Sequence, residues 1–127
     1  MRHSEYYMDD VLRFFQGRPL ELALYEDLFR RLEEAFPDAL VKVQKSQISF
    51  YDGGLFAMAS LPKRKGDPGL VVSFGLGRRE PSPRIGAAVE PYPGRWTHHL
   101  LIASPEEIDG ELMGWAREAA AFAESKR

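Results

Sequence analysis

Two adjacent imidazoles, His98 and His99, and a scatter of arginines and lysines are the side chains in this sequence best equipped for chemistry. Imidazole titrates near neutrality, so one histidine beside Tyr51 and a serine could serve as a general base. Neighbours on a strand point to opposite faces, however, so His98 and His99 cannot share one site. Parity with Leu100 and Ile102 groups His98 with Trp96, and leaves His99 with Thr97 and Leu101 on the other face.

The basic side chains suggest a second chemistry. Arginine offers a planar fork suited to carboxylate or phosphate, and several converging on one surface would hold an anion. Lys45 opens a strand, Arg78 and Arg79 end another, Arg84 lies in a long loop, Arg95 precedes a third strand, and Lys63, Arg64 and Lys65 share another loop. The candidate ligand-binding set is therefore Lys45, Ser49, Tyr51, Ser73, Arg78, Arg84, Arg95 and His99. The plainer alternative is that the cations are solvated loop charges offset by the 19 acidic residues, and that the histidines are packed or surface side chains.

Other chemistries find less to work with. There is no cysteine, which removes thiol catalysis, disulfides and thiolate metal sites, and no HxH, HExxH or EF-hand spacing appears. No cofactor or metal is expected. Ser46, Ser49 and Ser73 sit in no G-x-S-x-G elbow, and Gly75-Leu76-Gly77 is followed by Arg78-Arg79-Glu80-Pro81, which completes neither Gly-rich phosphate fingerprint. A net charge of -2 gives no overall attraction to nucleic acid or anionic lipid. Nucleic-acid binding would need one of the basic loops as a local patch. The opening MRHSEYYMDD lacks the apolar core of a signal peptide, and no apolar run reaches the roughly 20 residues of a membrane span. With the absence of cysteine, this points to the cytoplasm.

These residues must be positioned by the elements around them. A short helix is expected over Met8 to Phe15, with Asp9 and Asp10 favouring its positive end and Gly17 ending it. Pro19 starts a second helix in which Leu20, Leu24, Leu28 and Leu32 recur every four residues, flanked by Tyr25, Phe29 and Phe36, until Pro37. From Leu40 the period changes to two through Val41, Val43, Ile48 and Phe50. Asp52-Gly53-Gly54 is a hairpin turn leading to a return strand over Leu55 to Leu61. Pro62 to Gly69 reads as a polar loop, and Leu70, Val72, Phe74 and Leu76 mark one face of a half-buried strand.

The segment Gly77 to Arg95, with four prolines, three glycines and four arginines, is either a functional loop or hides a short element such as one helical turn. Trp96 to Ala103 forms the last strand. Ser104-Pro105-Glu106-Glu107 is a capping box that leads directly into a final helix carrying Ile108, Leu112, Trp115, Ala119 and Phe122 on its apolar stripe. Most aromatics fall at core-compatible periods, whereas Tyr6, Tyr7, Tyr92 and Trp96 lie at ends and loops where they could form a partner surface.

One α+β domain over residues 1–127 follows: two N-terminal helices, a four- to five-stranded mostly antiparallel sheet, and a long C-terminal helix. Helices on one face would leave the other partly open. That bare face is where the candidate set would act, as a non-catalytic binding module for a small anionic ligand or an acidic partner segment. The alternatives are a small enzyme using a strand histidine as general base, and an accessory domain of a nucleic-acid-processing system.

Phe14-Phe15-Gln16-Gly17, Lys45-Ser46-Gln47-Ile48-Ser49-Phe50, Phe56-Ala57, Ser82-Pro83-Arg84-Ile85, Arg95-Trp96-Thr97-His98-His99 and Glu107-Ile108-Asp109 leading to Trp115 together resemble, in order and spacing, a bacterial domain-of-unknown-function family, DUF5655. The resemblance spans nearly the whole chain and implies a small α+β domain with no established activity. The chain is more remotely similar to the YdhG-like domains, some described as frataxin-like iron chaperones. Asp9, Asp10, Glu21, Glu26 and Asp27 are scattered among basic neighbours and form no acidic ridge of that type, so no iron ligands are carried over.

Overall fold

The computed structural model describes residues 1–126. Helices α1 (Tyr7–Phe14) and α2 (Pro19–Ala35) precede strands β1 (Leu40–Val43), β2 (Ile48–Tyr51), β3 (Leu55–Ser60), β4 (Leu70–Leu76), β5 (Ala87–Tyr92) and β6 (Arg95–Ile102); a 3-10 turn (Pro105–Glu107) and helix α3 (Gly110–Ser125) follow. The strands form one antiparallel sheet in the order β1-β2-β3-β4-β6-β5. The fold is thus α+β as expected, with six strands where four to five were expected.

The additional strand is β5, inside the segment read as a loop. Sequence alternation does not reveal it because it is an edge strand exposed along most of its length, with Val89 and Tyr92 about half exposed. Pro91 is tolerated because an edge strand has free N–H positions, and the β5–β6 register slips between Val89 and Tyr92. Gly94, at φ +86, makes the tight turn into β6.

The helices cover one face of the sheet. Leu24, Leu28 and Leu32 of α2 are buried, while Leu20 is largely exposed and Glu21 takes the inward position in the first turn. Leu112, Trp115, Ala116, Ala119, Ala120 and Ala123 of α3 pack against β3 and β4. The small side chains let the helix lie close: a Cβ on Gly54 would sit 3.3 Å from the Cβ of Ala123. From the sheet, Val41, Ile48, Phe50, Ala57, Ala59, Val72, Phe74, Leu100 and Ile102 complete the core. Each Leu or Phe so buried contributes roughly 1.5–3 kcal/mol. The capping-box residues close the 3-10 turn, with Glu107 Oε1 accepting the Ala103 and Ser104 N–H groups. Helix α3 does not follow directly; it starts six residues after Ser104, capped by Asp109, whose Oδ1 accepts the Leu112 N–H at 3.0 Å.

Candidate functional site

Strand parity separates the two histidines. His98 lies on the core side, fully buried and stacked on Phe74 at 5.2 Å, with Trp115 stacked on the same ring at 5.5 Å. Its Nε2 accepts the Glu80 backbone N–H at 2.9 Å. Its buried Nδ1 has no partner at hydrogen-bonding geometry, although the carbonyls of Phe74 and Trp96 act electrostatically to raise its pKa. Burial outweighs them and holds its pKa below the usual imidazole value, so this ring is a neutral core group.

His99 lies on the opposite face. The β4–β6 register sets it across from Ser73, and Ser73 Oγ and His99 Nδ1 are 2.7 Å apart. Neighbouring register pairs extend this polar row: Ser49 faces Met58, and Met58 faces Ser73. Ser49 donates to Gln44 Oε1 at 2.6 Å and accepts from Gln47 Nε2 at 2.8 Å. A cavity of about 420 Å³ opens over this row, floored by Met58, Val71, Ser73, Thr97 and His99 and walled by Gln47, Ser60, Leu61, Lys63, Ala87 and Val89. No aspartate or glutamate among the described residues lines it. Burial depresses the pKa of His99, and the Lys63 ammonium lowers it further.

Arg95 shares this face. Its guanidinium lies flat on Gly75, where a Cβ would come within 2.7 Å of Nη2. The glycine is therefore what allows the arginine to lie across the strand beside Thr97. Neither Arg95 nor Lys63 has a carboxylate partner among the described residues. Tyr51 is farther along, with Lys42 Nζ 5.2 Å from its ring centroid.

The other three basic candidates go elsewhere, so the expected convergence is not found. Arg78 makes a two-pronged contact with Glu118 on α3, both bonds at 2.8 Å, and reaches Glu80 at 3.1 Å. Arg84 binds Asp109 and Glu111, donates to the Glu107 carbonyl, and lies over the Trp115 ring. Both guanidiniums are consumed in fastening the Gly77–Gly86 loop to α3. Lys45 sits at the far end of the sheet in a groove with Asp10, Arg13 and Phe14.

A family model described as "Domain of unknown function (DUF5655)" matches residues 13–123. The chain belongs to that family. No curated protein and no solved structure matches it. Within this DUF5655 chain, sequence reasoning missed Lys63 and Gln47 as cavity residues and Glu80 as the hub of the loop. The apolar-side-chain alternation of β3 and β4 could have located Lys63, which lies just beyond the open-face positions Met58 and Ser60.

Proposed function

We propose that the chain is a non-catalytic binding module that holds a small anionic ligand on the open face of its sheet. The observation that supports this best is the composition of the cavity: Lys63 is its one lysine or arginine, His99 can become cationic, and no aspartate or glutamate among the described residues lines it. Arg95 adds an unpaired guanidinium alongside. Met58, Leu61, Val71 and Val89 supply apolar surface, so the favoured ligand combines an anionic group with an apolar body.

Titration of labelled protein with benzenesulfonate, benzoate and benzylamine, followed by amide chemical shifts, tests the reading. The two anions are expected to move Ser73, Thr97, His99 and Lys63, and a double Lys63→Ser, Arg95→Ser variant to weaken both by about tenfold as two cations are removed. Equal response to benzylamine, or no response at any of these residues, would refute it.

The contact between Ser73 Oγ and His99 Nδ1 supports a second reading, a small enzyme with a hydroxyl nucleophile and an imidazole base. Against it, no carboxylate among the described residues orients the ring. Steady turnover of p-nitrophenyl acetate that disappears in Ser73→Ala would favour this alternative. The nucleic-acid reading loses Arg78 and Arg84, which are already neutralised by acids of α3.

A further inference from the structure

The Ser73–His99 pair has a donor count that depends on protonation. With His99 neutral, the pair carries two protons on heteroatoms, one on the hydroxyl and one on the ring, whichever tautomer is present. One of them lies in the 2.7 Å bond between Oγ and Nδ1, so a single donor remains. With His99 cationic there are three such protons. Nδ1–H then donates to Oγ, and both the Ser73 O–H and the Nε2–H are free for a ligand. Nε2 has no protein partner among the described residues.

We propose, building on the binding reading above, that the open-face cavity takes up an anion with an apolar body together with one proton, which resides on His99. An anion seated against this pair gains a second donor and a positive charge only when the ring is protonated. The surroundings favour the neutral ring while the cavity is empty. Lys63 from the β3–β4 loop is the charge that acts on it; β4 presents Ser73, β5 presents Ala87, and the next cation on its own strand is Arg95. No carboxylate of the described residues lines the cavity to compete for the role, so the ligand itself supplies the missing negative charge. The apolar body would lie on Met58, Leu61 and Val71.

Benzenesulfonate is a suitable probe because it stays fully ionised across the working range, so any proton taken up must land on the protein. Calorimetric titrations between pH 5.5 and 8.0 in two buffers of different ionisation enthalpy are expected to give a net uptake that peaks at about half a proton per ligand bound, the value that a tenfold change in affinity allows. Affinity should rise about tenfold between pH 8.0 and 5.5, since an ion pair at this depth shifts a titration by a unit or more. In His99→Gln, which keeps hydrogen-bonding capacity without the titration, weak binding should persist with no pH dependence. In Ser73→Ala the pH dependence should remain at lower affinity. Binding on the open face without proton uptake would overturn this inference and leave the binding reading intact; failure of benzenesulfonate to bind even at pH 5.5 would overturn both.

Discussion

Replacing Glu80 should be among the most damaging single changes away from the apolar core. The side chain is 15% exposed and its carboxylate serves three donors: Trp115 Nε1 and Arg78 Nη2 meet Oε1 at 3.1 Å each, and the Ser82 N–H meets Oε2 at 3.0 Å. Trp115 is only 6% exposed, so in Glu80→Ala its N–H loses its acceptor at a position with little access to solvent. Leaving such a donor unsatisfied costs about 1–3 kcal/mol, and the freed Ser82 N–H adds about 1 kcal/mol. Arg78 adds little because its pair with Glu118 survives, and exposed pairs contribute ~0–1 kcal/mol.

The expected loss is therefore about 2–4 kcal/mol, a large fraction of the roughly 5–15 kcal/mol available to a domain. Glu80→Gln keeps one acceptor oxygen and should lose about half as much. Urea unfolding followed by tryptophan fluorescence reads both. Because Phe cannot donate, Trp115→Phe should be less harmful in the Glu80→Ala background than in the parent, giving a coupling of about 1 kcal/mol. A Glu80→Ala loss under about 0.5 kcal/mol, or zero coupling with Trp115, would refute the assignment of Glu80 as the post that holds the Gly77–Gly86 loop on α3.

Three further outcomes are expected. Gly69→Ala should lose about 2 kcal/mol or more in urea unfolding, because Gly69 adopts φ +109 and a Cβ there would stand 2.9 Å from the Ile102 carbonyl oxygen; full stability would contradict the geometry. Tyr25→Phe should cost about 1–2 kcal/mol by stripping the buried Tyr7 hydroxyl of its 2.7 Å partner, and Tyr7→Phe in the same chain should recover part of that loss, a pattern readable by thermal unfolding. Stability should decline as pH falls in two stages. Burial depresses the pKa of His98 and of His99, so the unfolded chain binds protons first and stability starts to drop below about pH 6.5. Glu118 and Asp109 are depressed chiefly by hydrogen bonds from Arg78 and from the Leu112 N–H; in Glu21 and Glu80 burial pulls upward but is outweighed by their donors. Their stabilisation is complete above about pH 4.3 and is lost as pH falls through the folded values, so urea midpoints that stay flat from pH 7 to 3 would contradict these assignments.

Much of the layout is legible in the sequence because most elements bury one face. The four-residue repeat of Leu24, Leu28 and Leu32 and the alternation of Leu70, Val72, Phe74 and Leu76 each report burial directly. Parity correctly separates His98 from His99 and groups Ser73, Ser49 and Tyr51 with His99. Three things escape that logic. An edge strand wet on both faces has no alternation to read, so β5 stays hidden although Pro93-Gly94 marks its turn. Leu20 fits the helical repeat but falls at an exposed first turn, where Glu21 points inward to accept the Gly69 N–H at 2.7 Å. The arginines carry no sign of their partners: nothing in the spacing of Asp109, Glu111 and Glu118 says that they will meet Arg78 and Arg84 across a loop.

That last failure bears on where a ligand can bind. A cation contributes to an anion site only if the fold does not already neutralise it, and α3 supplies acids enough to occupy Arg78 and Arg84. The helices bring carboxylates only to their own side of the sheet. On the opposite face Arg95 is held by its stem and by the absence of a side chain at Gly75, without an acid to fix it. Gly75→Ala puts this to the test: the Cβ meets only the far end of a flexible side chain, so stability should change by less than about 1 kcal/mol while the guanidinium is displaced. If anion binding on the open face depends on Arg95, this variant should weaken it as Arg95→Ser does, and binding left unchanged by both would move the ligand's charge to Lys63 and His99 alone.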